Sequence, residues 1–93
     1  MASMYDAITD KLSRVDGDKL KLSYSEINLL IKQLYPQKQL PDHSYESTTW
    51  WANDQKSHTQ SRSWLKAGWR TDMSQSKLGE YIIFVRKATG KTD

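Results

Sequence analysis

Residues 19–36 read KLKLSYSEINLLIKQLYP. Lys19, Leu20, Lys21, Leu22 and Ser23 alternate charged and apolar side chains at period two, the pattern of a short, half-buried edge strand. The next residues change period. Ser23 and Glu26 have the spacing of a capping box, in which Ser23 accepts from an early helix amide and Glu26 reaches back to the cap. Ile27, Leu30, Ile31 and Leu34 then fall at i, i+3, i+4 and i+7, and Pro36 ends the helix. The strand is too short to stand alone, so a partner strand must come from elsewhere in the chain.

Upstream, Met4, Ile8 and Leu12 lie four residues apart with Tyr5 beside them, which predicts a short first helix ending at Asp16, Gly17 and Asp18. Downstream, 36–49 is polar and holds both prolines, so a loop is expected, with one helical turn near 44–49 and Leu40 as its anchor to the core. Then comes TTWWANDQKSHTQSRSWLKAGW, 48–69, in which all four tryptophans surround a polar run. A third helix is predicted over about 57–67, capped by Asp54 or Ser57, with Gly68 at the left-handed position past its end and Trp69 just beyond. At about 100° per residue, Trp64, Leu65, Ser61, Ser57 and His58 gather on a core side, while Thr59, Gln60, Arg62, Ser63 and Lys66 gather on an outer side.

From Trp69 to Met73 the chain alternates, 74–79 is a polar turn, and 80–86 (EYIIFVR) is β-branched and aromatic, so a hairpin is expected. A lone hairpin is marginal in water, and the strand at 19–23 supplies its third partner. The expected fold is α+β, with three helices on a small three-stranded antiparallel sheet in the order of winged helix-turn-helix domains. The connector before the third helix is longer than in a tight helix-turn-helix. Residues 1–87 are expected to form the one domain and 88–93 a flexible basic tail.

Composition bounds what such a chain does. Its 93 residues suffice for one modest core; only 37% are apolar, but 11% are aromatic, so a few large rings supply much of the buried area. With no cysteine there is neither a disulfide frame nor a thiolate metal site. No apolar run approaches the roughly 18 residues that span a bilayer, and a cytoplasmic protein without membrane contact is expected. Charge is unevenly placed: 1–46 carries 6 basic and 7 acidic residues, whereas 47–93 carries 8 and 4. The tryptophan-bearing half therefore suits a polyanion.

These features point to double-stranded DNA as the partner, with the third helix presented to the groove and the hairpin as a wing. Arg62 can fork onto guanine or phosphate, Gln60 can pair with adenine, and Thr59 and Ser63 are short enough for close approach. Lys56, Lys66, Arg70 and Lys77 are the expected phosphate contacts. The alternative is a protein-interaction module that uses that helix face or a groove at Trp50, Trp51 and Asn53, one of the adjacent indoles plugging the core and the other lining the groove. Trp64 and Trp69 are read as core. Monomer and homodimer both fit the sequence.

An enzyme is not expected. His43 and His58 have no second ligand at metal spacing, and Asp42 with His43, or Asp54 with Lys56, are explained equally well by loop chemistry. No metal or cofactor site is predicted. Leu40 and Pro41, the run Trp50-Trp51-Ala52-Asn53, the run Trp64-Leu65-Lys66-Ala67-Gly68-Trp69 and the closing Phe84-Val85-Arg86 together resemble an uncharacterised small domain family of bacterial and phage proteins. The resemblance covers about 20–86, departs from the pattern at His43, Ser44 and Tyr45, and implies a recurring fold without an activity to carry over.

Overall fold

The computed structural model describes residues 3–54 and 59–87. Helix α1 spans Asp6–Ser13, strand β1 Lys19–Ser23 and helix α2 Tyr24–Leu34; two 3-10 turns, Asp42–Tyr45 and Thr49–Trp51, lead to helix α3 at Thr59–Leu65, followed by strands β2 at Trp69–Thr71 and β3 at Tyr81–Arg86. The sheet is antiparallel in the order β1-β3-β2. Three helices and a three-stranded antiparallel sheet in this order form the expected α+β fold.

The strand at 19–23 finds its partner at the far end of the chain. Leu20 pairs with Phe84 and Leu22 with Ile82, so the apolar side of β1 faces the same side as the two fully buried residues of β3. The capping box forms as the sequence requires: Glu26 N donates to Ser23 Oγ at 3.0 Å, and Ser23 N donates to Glu26 Oε1 at 2.8 Å. Ile27 and Ile31 are buried and Leu30 half-buried, but Leu34, expected on the same stripe, is 53% exposed at the helix end.

The connector holds two short turns where one was expected. Leu40 is buried, and its amide donates to Asn28 Oδ1 at 2.7 Å, which ties the loop to α2. Both turns serve Trp51. Its Nε1 donates to Ser44 O at 2.8 Å and to Tyr24 Oη at 3.1 Å, while Tyr24 Oη donates to the same Ser44 carbonyl at 2.8 Å. Burial pushes the Tyr24 phenol above its ordinary pKa.

An unbroken line of ring contacts crosses the core: Tyr5 to Trp50, Trp50 to Trp51, Trp51 stacked on Trp64 at 5.7 Å, and Trp64 edge-on to Phe84. Trp69 is also buried. The Arg86 guanidinium lies 4.5 Å from its ring centre and donates to Val15 O and Gly17 O, so this arginine fastens the α1–β1 connector over the sheet. Gly68 has φ +87°, the left-handed position expected just past α3, and its amide closes the helix by donating to Leu65 O at 3.0 Å.

Candidate nucleic-acid interface

Helix α3 has only seven residues, and its neighbours cover more of it than its sequence alone shows. Trp64 and Leu65 face the core as expected. Gln60 and Ser63 do too, which corrects their placement on the outer side. Gln60 Nε2 donates to Trp50 O at 2.9 Å and Ser63 Oγ to Gln60 O at 2.6 Å, while Thr9 of α1 donates its hydroxyl to Ser63 O at 2.7 Å. The physical reason is two neighbours on that flank: α1, whose Thr9 reaches the Ser63 carbonyl, and the Thr49–Trp51 turn, whose Trp50 carbonyl takes the Gln60 amide. With Gln60 turned inward, the adenine contact assigned to it is lost.

What stays outside is one row: Thr59 and Arg62 of α3 and Lys66 in the turn just past it, all exposed, at i, i+3 and i+7. They border a shallow depression with Ser3, Asp6 and Ser63. Asp6 is the acid of this site. It accepts from Ser3 N at 3.1 Å and meets Lys66 Nζ at 3.3 Å, so the cationic row is partly neutralised by the first turn of α1. No sequence spacing connects residues 6 and 66; only the α1–α3 packing does. Lys56, Ser57 and His58 lie outside the described residues.

Arg70 is exposed on β2, but strand alternation places it opposite Trp69 and Thr71, both buried. It therefore belongs to the outer sheet face, which it shares with Lys19 and Lys21 by register through Val85 and Ile83. Arg70 and the α3 row are on different sides of the sheet. Lys77 is exposed in the hairpin loop and pairs with Glu80 at 3.1 Å; that carboxylate raises the lysine's pKa.

The loop at 72–80 is tied together. Asp72 accepts from Ser74 Oγ at 2.6 Å, Ser74 N at 3.1 Å and Gln75 Nε2 at 2.6 Å, and Ser76 Oγ joins Asp72 O to the Ile83 amide. The bond from the Ser74 hydroxyl, then that from Gln75, holds the Asp72 carboxyl below its ordinary pKa. A depressed folded pKa stabilises the loop above the unfolded value, and the contribution is lost as pH falls through the folded one. Carbon-detected NMR titration is expected to place the Asp72 midpoint below the free-aspartate value of about 3.9, with Ser74→Ala moving it upward. An unchanged midpoint in Ser74→Ala would remove that hydroxyl as the cause.

The groove expected at Trp50, Trp51 and Asn53 is not there. Both indoles are buried, because a 3-10 turn sets successive side chains about a third of a turn apart and the core wraps around both: Trp50 meets Tyr5, and Trp51 meets Tyr24 and Trp64. Asn53 uses its carboxamide within the fold, bonded to Trp64 and Thr71. Asp42 and His43 sit exposed in the first 3-10 turn. Among the described residues no group of three or more His, Cys, Asp and Glu side chains is arranged to hold a metal ion, and no helix is long and apolar enough to cross a membrane.

Residues 5–88 match the family described as Domain of unknown function (DUF7662), and the chain belongs to that family. No curated protein and no solved structure gives a significant match.

Proposed function

We propose that this domain binds double-stranded DNA as a winged-helix-like module, with Thr59 and Arg62 of α3 and Lys66 just past its end against the duplex and the hairpin loop carrying Lys77 near the backbone. The observation that supports it is the exposed α3 row on a β1-β3-β2 sheet, the topology in which the third helix is the one presented to DNA. The row offers two cations and one hydroxyl. Arg62 alone has the fork geometry for a guanine edge, so the contact is mainly with phosphates and tolerant of sequence. A bacterial or phage setting is part of this proposal. The rival protein-interaction reading loses its Trp50/Trp51 form with the burial of both indoles; its α3-face form is an outcome of the same experiment.

Binding to labelled random-sequence duplex across a salt series tests the proposal. Wild-type affinity is expected to fall steeply with salt, by about 0.9 in logarithmic slope for each phosphate contact. Arg62→Ala/Lys66→Ala is expected to weaken binding about tenfold or more at low salt and to reduce the slope by about 2. Asp6→Asn, which removes the carboxylate competing for Lys66, is expected to tighten binding. A wild type that stays unbound at low salt rules out the DNA role and makes the α3 face the bait for a protein partner.

A further inference from the structure

Leu29 of α2 is the most exposed large hydrophobic residue among those described, at 63%. It lies on the far side of the helix from the buried Ile27 and Ile31, so packing within the chain does not explain it. Single exposed leucines are ordinary on protein surfaces. Here, however, a shallow depression opens beside the side chain, with Leu22 and Leu30 among its lining and Lys11, Glu26 and Gln33 as its polar part.

The residues around Leu29 are arranged symmetrically about it. Glu26 stands three positions before and Lys32 three after; Ser25 stands four before and Gln33 four after, and all four are exposed on the face that Leu29 centres. If two copies of α2 run antiparallel with a two-fold axis through Leu29, Glu26 of each chain meets Lys32 of the other, and Ser25 meets Gln33. A parallel pairing would instead oppose like charges. The capping bond uses only Oε1 of Glu26, and the side chain stays exposed.

The geometry points to α2 as a self-association surface, docking a second copy of this chain antiparallel through Leu29 with reciprocal Glu26–Lys32 pairs. Such an interface is isologous, as two-fold dimers require. One helix pair is small against the area of stable complexes, so the association is reversible. It uses neither α3 nor the hairpin, and its failure would leave the DNA reading standing.

Sedimentation equilibrium of the full chain tests it. The wild-type mass is expected to rise with concentration from 10.8 kDa toward twice that value. Leu29→Lys, which alters neither the cap nor the core, is expected to remain monomeric. Lys32→Glu and Glu26→Lys, each to be checked for folding by circular dichroism because Glu26→Lys also removes the cap bond, are each expected to weaken self-association about tenfold, since each disturbs both symmetry-related pairs. Mixing the two variants should restore a heterodimer, because each charge then meets its opposite. A wild type that is monomeric at sub-millimolar concentration, or a Leu29→Lys variant that associates as well as the wild type, overturns the proposal. Failure of the folded charge variants to recover on mixing overturns the antiparallel pairing.

Discussion

Trp51→Ala is expected to destabilise the fold by about 3–5 kcal/mol, the range for removing a fully buried tryptophan. Ordinary domains have only about 5–15 kcal/mol in total, so the variant should sit close to the unfolding threshold at room temperature. The ring is stacked on Trp64 at 5.7 Å, meets Trp50 at 4.7 Å and Tyr24 at 5.7 Å, and leaves a void among large rigid neighbours that cannot readily collapse. Trp51→Phe separates packing from hydrogen bonding. It keeps much of the ring, and Ser44 O retains its bond from Tyr24 Oη at 2.8 Å, so the expected cost is nearer 1–2 kcal/mol. Trp50→Ala should cost less than Trp51→Ala, because Trp50 lies nearer the surface. Urea denaturation followed by circular dichroism gives all three values. If Trp51→Ala costs under about 1 kcal/mol, the line of rings is not what holds the connector to the sheet.

The elements most legible in the sequence were those whose signals are local. The capping box at Ser23 and Glu26, the alternation of 19–23 and the left-handed Gly68 each rest on residues a few positions apart, and each appears as expected. That β1 completes the hairpin's sheet was legible because a short strand and an incomplete hairpin have few ways to satisfy their backbones, but its place beside β3 rather than β2 was not. The face of α3 was only half legible. A helical wheel orders side chains around an axis, but it does not say how many sides a neighbour covers. Gln60 lies at the boundary of the wheel and is drawn in by the Trp50 carbonyl, whereas Ser63 lies well round the outer side and is covered because α1 packs there. The same packing brought Asp6 to Lys66, a pairing across most of the chain that no local pattern encodes. Adjacent tryptophans face opposite sides in a strand; in a 3-10 turn with core around it, both Trp50 and Trp51 are buried.

The family-like runs at 50–53 and 64–69 gain a physical meaning from these contacts. Trp51, Asn53, Trp64 and Trp69 are core or joint residues, whereas the exposed row on α3 takes only Lys66 from them. A pattern built from such positions marks how the domain closes. Thr59 and Arg62, on which the proposed DNA contact relies, lie outside the runs.

Asn53→Ala is the sharpest test of that meaning, with an expected loss of about 3 kcal/mol. Strand β2 pairs with β3 on one side only, and on its free side the Asn53 carboxamide takes the place of a neighbouring strand: Oδ1 accepts from Thr71 N at 2.9 Å, and Nδ2 donates to Thr71 O at 3.1 Å. The same oxygen accepts from Trp64 Nε1 at 2.9 Å and from Thr71 Oγ1 at 3.2 Å. Alanine leaves the indole N–H without this acceptor at the edge of the core, since Asn53 itself is exposed, and it also frees the β2 edge. Asn53→Asp keeps the acceptor but turns a second oxygen toward Thr71 O, so it should be destabilising by less than alanine through the surviving Trp64 bond. Hydrogen exchange at the Trp64 indole and the Thr71 amide reads the joint directly. Both protons should exchange faster in Asn53→Ala than the global stability loss alone allows. If they do not, and stability is unchanged, the carboxamide is dispensable to the fold and becomes available again for a ligand.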